Sequence, residues 1–340
     1  MPTVSDLGED RLVAAVLARV REVAGAPVGR LLVGNGDDAA VLPAGGPTVL
    51  STDTLVEHVD FRHDWSSPHD IGAKAAAAGL ADVVAMGAHP EALLLSLTTP
   101  GDTDAELLLG IAAGAAGETV RAGATVAGGD VAAGREIVLT VTAAGRLAAG
   151  AVPVLRSGAR PGHVLAVAGL LGDSGAGLAV LLAGAVTADR AVSSDRDPVT
   201  IAGAAVDRVV ARHRRPVPPY EAGPVAAAAG ATSLIDVSDG LVRDARRVAA
   251  ASGVVLDLDP RALAPDDDLI VVGGLLGADP VSWVLTGGED HALLATFPAA
   301  VPLPEGFRAI GRAVAARPGG EVLLGGLPYQ GSGGFTHFAG

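Results

Sequence analysis

The sequence predicts a mixed α/β protein, of the α+β class, with two domains. Its length of 340 residues exceeds what a single hydrophobic core usually serves. Short β-like runs alternate with Ala-rich helical stretches, which is typical of mixed α/β architecture. A segment rich in Gly, Ala and Pro at 145–162 is a plausible boundary. We therefore place an N-terminal domain at 1–147 and a C-terminal domain at 148–340.

The N-terminal half begins with an amphipathic helix. Across 5–24, Leu12, Val16 and Val20 recur at helical spacing, and polar cap candidates precede them. The remaining elements of this half alternate between strands and helices. Strands are predicted at 30–33, 48–50, 92–98, 125–127 and 136–143, and helices at 69–86 and 103–122.

The C-terminal half repeats a strand–turn–helix order. A strand at 164–168 leads into the turn "GLLGDSGAG" and a helix through Ala183, and such a glycine-rich helix entry suits a phosphate. A second unit of this kind is predicted at 233–250. Further strands are predicted at 254–258, 282–285 and 293–296. The basic, Pro-punctuated segment 212–219, "RHRRPVPP", is predicted to be an exposed linker.

Charge and composition exclude several classes of function. The net charge is −14, so the chain is a poor partner for nucleic acid or an anionic membrane surface. The longest uncharged run that is rich in Ala and Gly, 174–188, is too short to span a bilayer and poor in large apolar side chains. No signal peptide is visible, and we expect a cytoplasmic location. If the substrates are phosphates, metal ions must offset the repulsion.

Several familiar kinds of site are absent from the sequence. There is no cysteine, which excludes thiolate zinc sites and cysteine nucleophiles. His58, His63 and His69 lack the helical spacing of a zinc site. The only lysine, Lys74, is followed by Ala75, so no P-loop exists. A chain that otherwise uses arginine keeps this lysine either for its compact ammonium or by chance on a helix surface.

Acidic residues recur where an apolar run ends in a glycine-containing turn. Strand ends hold carboxylates rigidly, and glycines let backbone N–H groups approach phosphates. Oxygen-only ligand sets favour Mg²⁺ over zinc. A single Asp beside Gly is usually a turn former, but six such turns in one chain favour a functional reading. The acids are Asp37, Asp38, Asp53, Asp82, Asp130, Asp236, Asp239, Glu289 and Asp290.

Taken in order, these motifs resemble the thiamine-monophosphate kinase family of the aminoimidazole ribonucleotide synthetase superfamily. The resemblance covers nearly the whole chain, and the ordered set is far more specific than any one motif. The matching stretches are "GEDRLV" (8–13), "GDDAAVL" (36–42), "STDTLVE" (51–57), "KAAAAGLADVVAMGA" (74–88), "GGD" (128–130), "RSGARPG" (156–162), "GDSGAGL" (172–178), "DVSDGL" (236–241), "GGED" (287–290) and "GFTHF" (334–338).

The resemblance implies transfer of the γ-phosphoryl of ATP to thiamine monophosphate, assisted by several Mg²⁺ ions. No residue is expected to act as a general acid or base. It also implies that the N-terminal domain binds ATP and Mg²⁺ and that its sheet pairs with that of a second copy in a homodimer. The implied Mg²⁺ ligands are Asp38, Ser51, Thr52, Asp53, Asp82, Asp130, Asp236 and Asp239. The implied ATP contacts are Gly129, Asp130, Arg156 and Ser238, and the acceptor contacts are Glu289, Phe335 and the position of Asp60.

The sequence departs from the family pattern mainly on the acceptor side. The family usually has Gly then His in "VEG-x-HF", where this chain has His58 and Asp60. It has Asn at Gly79, Thr after "GGD" where Val131 and Ala132 stand, and Tyr at His291. Two alternatives therefore remain: an ATP-dependent enzyme of the same fold with another acceptor, and a non-catalytic nucleotide-binding paralogue. The intact set of metal-type carboxylates favours a kinase.

The altered pair His58 and Asp60 predicts a change in how the acceptor is held. An ionised Asp cannot donate a hydrogen bond to a phosphate. In an extended segment, residues two apart lie on the same face. We therefore expect His58 to take over the phosphate contact, with Asp60 holding its ring or joining the metal shell; alternatively, the segment is a mobile loop and neither residue matters.

Overall fold

The computed structural model describes residues 2–7, 9–25, 42, 45–184, 198–316, 321–331 and 333–335. The chain divides into two compact units. Unit 1 comprises Met1–Val83 and Ala88–Gly150, and unit 2 comprises Val84–Gly87 and Ala151–Gly340. The division after Gly150 lies close to the boundary predicted after residue 147.

Each unit contains one sheet and its own helices. In unit 1 the elements are α1 (Val4–Leu7), α2 (Glu9–Ala24), β1 (Thr48–Val56), α3 (Pro68–Ala85, whose last residues belong to unit 2), β2 (His89–Thr99), α4 (Ala105–Arg121), β3 (Thr125–Ala133) and β4 (Val138–Arg146). In unit 2 they are β5 (Val164–Ala168), α5 (Asp173–Leu182), α6 (Pro198–Arg214), α7 (Ala222–Ala228), β6 (Ser233–Val237), α8 (Leu241–Ser252), β7 (Val254–Leu258), α9 (Asp267–Leu276), α10 (Pro280–Thr286), β8 (Ala292–Phe297), β9 (Phe307–Ala315), β10 (Val322–Leu324) and β11 (Leu327–Pro328). The mixed α/β fold class is confirmed.

Among the described residues, the sheet of unit 1 has four strands in the order β1-β4-β2-β3; the strand predicted at 30–33 lies outside them. Strand β4 pairs antiparallel with both β1 and β2, and β2 pairs parallel with β3. β1 and β3 are therefore the two edge strands. Three strand-to-strand steps separate them, which is about 14 Å at 4.7–4.9 Å per step.

Glycines bring the two long helices of unit 1 into backbone contact. A Cβ on Gly72 of α3 would lie 1.8 Å from the carbonyl oxygen of Ile111, and one on Gly114 of α4 would lie 1.9 Å from that of His69. Such close approach is possible only without a side chain. The core of this unit is consequently rich in alanine, and Ala75, Ala112 and many other alanines are fully buried.

The sheet of unit 2 has seven strands in the order β11-β10-β7-β9-β5-β8-β6. Every residue of β6 and β8 is buried, so these strands lie at the centre of the core although β6 is at the edge of the sheet. The turns that leave β6 and enter β8 carry "DVSDG" and "GGED". The strand order thus places two of the acidic motifs side by side.

Two predicted elements of unit 2 are wrong. Residues 282–285 form part of helix α10 instead of a strand, because Asp279 caps the helix by accepting from the Val281 N–H at 3.0 Å and Pro280 fits its first turn. The segment 212–219 is not an exposed linker, since α6 continues to Arg214 and His213 is 6% exposed.

No single helix in the described ranges is both long and apolar enough to cross a membrane. The bent pair α9 and α10 meets the criteria of length and composition when its two helices are taken together.

Candidate active site

In unit 1, the middle of β1 faces helix α3 and brings three predicted metal residues together, because the strand continues to Val56 instead of ending at residue 50 as predicted. The Ser51 hydroxyl donates to Oδ2 of Asp82, an α3 residue, at 2.5 Å. Asp53 lies two residues after Ser51 and so projects to the same face of the strand. Its Oδ2 is 3.8 Å from the point where a Cβ would sit on Gly79, one helical turn before Asp82. Thr52 projects the other way and donates its hydroxyl to the Val141 carbonyl at 2.9 Å.

The packing of α3 on the sheet explains why residue 79 is glycine, which the sequence did not suggest. A Cβ there would lie 2.9 Å from Cγ2 of Val141, so the glycine allows α3 to approach the sheet closely. An asparagine, which the family pattern has at this position, would require Val141 to move.

The residues beside α3 suit a magnesium ion that also binds water and substrate better than a metal ion held only by protein side chains. Within the described ranges, no three Asp, Glu or His side chains are arranged to hold a metal ion. Mg²⁺ is usually held by one or two carboxylates, waters and substrate phosphates instead of a cage made only of protein. Asp53, Asp82 and the Ser51 hydroxyl form such a partial, oxygen-only set. Asp38, predicted to share in it, lies outside the described residues.

Asp130 and Gly129 are not near this group within one chain. Both lie on β3, where Asp130 pairs with Ser96 of β2 and Gly129 with Leu95, and both are exposed. Asp53 is on β1, at the opposite edge of the sheet. A Cβ on Gly129 would lie 2.1 Å from the Leu95 carbonyl oxygen, so this position requires glycine for steric reasons alone.

The chain turns sharply after β1, and the predicted relation between His58 and Asp60 is wrong. The Phe61 carbonyl accepts from the His58 N–H at 2.8 Å, and the Val56 carbonyl accepts from the Asp60 N–H at 2.9 Å. His58 has a φ of +67°, so the segment is not extended and the two side chains do not share a face. Oδ2 of Asp60 instead accepts from the Val56 N–H at 2.8 Å.

The imidazole that is held at this turn is His63. Its Nε2 lies 2.9 Å from Oε1 of Glu57, whereas Nε2 of His58 lies 3.9 Å from the same atom and the His58 side chain is 72% exposed. Oε2 of Glu57 also accepts from the Ile137 N–H at 3.1 Å. Lys74 is buried and donates to the Asp60 carbonyl at 3.3 Å, so the only lysine supports this turn.

In unit 2, three motifs meet around the turn that follows β6. The Glu289 N–H donates to the Ser238 carbonyl at 2.8 Å, and the Phe335 N–H donates to the Asp239 carbonyl at 3.0 Å. A Cβ on Gly288 would lie 2.6 Å from the Ser238 carbonyl oxygen. The structure therefore brings together Ser238, Asp239, Glu289 and Phe335 through backbone contacts that no single motif reveals.

The two aspartates of this turn have cationic or imidazole partners. Buried Asp236 is 3.1 Å from Nδ1 of His291, which is also buried. Oδ2 of Asp239 contacts Arg247 and lies 3.2 Å from Nε of Arg243. His291, which replaces the tyrosine of the family pattern, thus contacts a predicted metal ligand directly. Sequence analysis missed both arginines, although they follow "SDG" closely and lie four residues apart, about one turn of α8.

The glycine-rich entry to α5 is already occupied by a carboxylate of the same chain. Asp290 accepts from the Gly172 N–H at 2.5 Å and from the Ser174 N–H at 2.8 Å. These N–H groups would otherwise suit a phosphate, so the expectation of a phosphate site formed by them is wrong. Burial raises the pKa of Asp290 to about 7, and the carboxylate of Asp173 adds to this.

The remaining predicted residue, Arg156, lies before β5 with an exposed side chain. Its carbonyl accepts from the Ser252 hydroxyl at 3.1 Å. This contact fixes the backbone and leaves the role of the guanidinium in ATP binding a prediction.

Comparison with known proteins gives consistent matches. Residues 36–147 match the family model of AIR synthase related protein, N-terminal domain. The chain is 43% identical to the thiamine-monophosphate kinase of Mycobacterium tuberculosis over 339 residues, which cover 99% of this chain and 93% of that protein. The corresponding enzyme of Corynebacterium glutamicum is 40% identical over 320 residues, covering 93% and 89%. Among solved structures, AaThiL complexed with AMPPCP and TMP aligns with a TM-score of 0.75 at 28% identity and 99% coverage of both chains.

Proposed function

Because this chain belongs to the thiamine-monophosphate kinase family, we propose that it transfers the γ-phosphoryl group of ATP to thiamine monophosphate, giving thiamine diphosphate, with several Mg²⁺ ions assisting. The family resemblance inferred from the ordered motifs is confirmed by the whole-chain similarity. The similar protein AaThiL has been solved with the ATP analogue AMPPCP and with TMP, which supports the pair of substrates.

The observation that carries the proposal is the group formed by Ser51, Asp53 and Asp82. A phosphate attacking a phosphate brings two strongly anionic groups together, and the chain itself carries a net charge of −14. Mg²⁺ bound with ATP would supply positive charge and polarise the transferring group. Ser51 and its partner Asp82 orient the oxygens that would hold it.

The residues of this chain position the reactants instead of moving protons. The attacking oxygen of thiamine monophosphate is already ionised near neutral pH, so no general base is required. Phosphoryl transfer depends mainly on in-line positioning and neutralisation of charge. Glu289 and Phe335 are proposed to hold the acceptor, and Ser238, Gly129 and Arg156 to contact ATP.

Asp130 is proposed to serve the site of a second copy of the chain. Two ligands of one Mg²⁺ are at most about 4 Å apart, whereas three strand spacings separate Asp53 from Asp130 within one chain, about 14 Å. A homodimer that pairs the edge strand β1 of one copy with β3 of the other would bring the two carboxylates together. The predicted homodimer and the predicted metal set therefore depend on each other.

A product assay tests the proposed function. Wild-type protein is incubated with ATP, Mg²⁺ and thiamine monophosphate, and chromatography measures ADP and thiamine diphosphate. Equal amounts of both products are expected. ADP without thiamine diphosphate would indicate transfer to water, as expected of an ATP-dependent enzyme whose true acceptor is another compound. Neither product would indicate a nucleotide-binding paralogue.

A further inference from the structure

His213 joins the acceptor side of unit 2 to the start of α5. It lies in the last turn of α6 and is 6% exposed. Its Nδ1 is 3.1 Å from the hydroxyl oxygen of buried Ser174 and 3.4 Å from Oε2 of Glu289. One ring nitrogen thus faces both a hydroxyl and the carboxylate to which acceptor binding is assigned.

The chemistry of these two neighbours decides which ring nitrogen carries a proton. An ionised carboxylate can only accept a hydrogen bond, whereas a serine hydroxyl can donate or accept. Contact between Nδ1 and Glu289 is favourable only when Nδ1 is protonated. The geometry therefore assigns a proton to Nδ1, shared between Oε2 of Glu289 and Oγ of Ser174.

The backbone that carries Glu289 is strained and held from several sides. Glu289 has a φ of +64° and His291 a φ of +52°. This left-handed conformation is unfavourable for any residue other than glycine and is often found at functional sites. The N–H of Glu289 bonds to Ser238, and Asp290 bonds to the start of α5. With the main chain fixed in this way, the contact of its side chain with His213 helps to set the direction of the Glu289 carboxylate.

We propose that His213 is a positioning residue for the acceptor: its Nδ1–H holds the carboxylate of Glu289 in the direction that binds thiamine monophosphate. A carboxylate suits this acceptor because the thiazolium ring of thiamine is cationic. The inference rests on the proposed function. It gives a role to a residue that the sequence placed in an exposed linker, and it requires no contact between His213 and either substrate.

Steady-state kinetics of three variants test the proposal. His213→Ala is expected to raise KM for thiamine monophosphate about tenfold, equivalent to about 1.4 kcal/mol, while KM for ATP and kcat change less than twofold. His213→Asn places an amide near the position of Nδ1 and should restore most of the affinity. His213→Gln places its amide near Nε2 and should remain as weak as His213→Ala. An unchanged KM in folded His213→Ala, or equal loss for both substrates, overturns the proposal.

A matched control separates positioning from general loss of a hydrogen-bonded imidazole. In the same unit, Nδ1 of the half-buried His163 lies 2.9 Å from the Thr232 hydroxyl, and among the residues that the structure describes no carboxylate contacts it. His163→Ala should leave KM for thiamine monophosphate within twofold of wild type. A tenfold rise in that variant too would mean that the effect of His213 is only structural, and would refute the proposal.

NMR of protein labelled with ¹⁵N-histidine gives a readout on the wild-type protein that does not depend on activity. Wild-type His213, assigned by the signal lost in His213→Asn or His213→Gln, should show a protonated Nδ1. A neutral ring protonated only at Nε2 overturns the proposal. Failure of the proposed function is distinguished by the wild type making no thiamine diphosphate, whereas failure of this inference leaves product formation intact and independent of His213.

Discussion

If Asp53 and Asp130 act on the same nucleotide from two different chains, inactive variants should complement each other. Asp53→Asn and Asp130→Asn each remove a carboxylate that offsets phosphate charge. Each change should lower turnover by about a hundredfold or more, the scale of a lost electrostatic contact of about 3 kcal/mol. Both residues are at least partly exposed, so the fold should survive either substitution.

The magnitude of the recovery follows from the strand order. In a mixed dimer, one site contains both asparagines and the other contains both aspartates. Random exchange of equal amounts makes half of the dimers mixed, so activity should return to about a quarter of wild type. If both residues served the site of their own chain, every site in the mixture would lack one carboxylate and activity would stay near that of the single variants.

The assay is thiamine diphosphate formation after the two proteins are mixed, partly unfolded and refolded together. Asp53→Asn mixed with Asp82→Asn is the matched control. Those two residues lie on the same side of one sheet, beside Ser51, and should not complement. Absence of recovery from the pair Asp53→Asn and Asp130→Asn, when mass spectrometry of intact complexes confirms mixed dimers, would refute the assignment of Asp130 to the partner copy.

Three further predictions concern stability. Folded Asp290 has a pKa of about 7, against an ordinary 3.8, and so holds a proton that the unfolded chain releases; its contribution to stability therefore falls as the pH rises from 4 to 7. Asp290→Asn should remove up to about 1.4 kcal/mol per pH unit of that dependence, measured by urea unfolding at several pH values. An unchanged slope would contradict this prediction. His58→Gly, at φ +67°, should stabilise the protein by about 1 kcal/mol without altering KM for thiamine monophosphate; a raised KM would restore His58 as an acceptor contact. Gly129→Ala should destabilise the protein by about 1–3 kcal/mol, because the added Cβ would meet the Leu95 carbonyl. The control Gly203→Ala in α6, where the space around the glycine is open, should stabilise the protein by up to about 1 kcal/mol. Equal effects of the two variants would contradict the steric argument.

Sequence patterns predicted elements well where hydrophobic periodicity and turn signals agreed. The strands 164–168 and 254–258 have the bounds found in the structure. Residues 282–285 were misassigned because a short apolar run suits either a strand or a buried helix, and the cap Asp279 and the following proline were overlooked. Strand β9 was missed because "FRAIGRAVA" combines two arginines with a glycine, which weakens a strand pattern.

The sequence was enough to predict which turns carry the candidate site residues, but not how those turns are arranged in space. The motifs identified Asp53, Asp82, Asp239 and Glu289 individually. Their neighbours are distant in sequence: Ser51 meets Asp82 across 31 positions, and Ser174 meets His213 across 39. The relation of His58 to Asp60 failed for a different reason. It assumed an extended backbone, and a positive φ at one residue was enough to separate the two side chains.

The two units present their carboxylates in different electrostatic settings, and this bears on how metal would be held. In unit 1, Asp82 accepts from the neutral hydroxyl of Ser51. In unit 2, Asp239 contacts two guanidinium groups and Asp236 an imidazole. A cation that binds there must compete with positive charge fixed to the chain, and removal of one partner from such a pair is costly. Metal binding at Asp239 therefore requires compensating negative charge, which the phosphates of the substrates would supply.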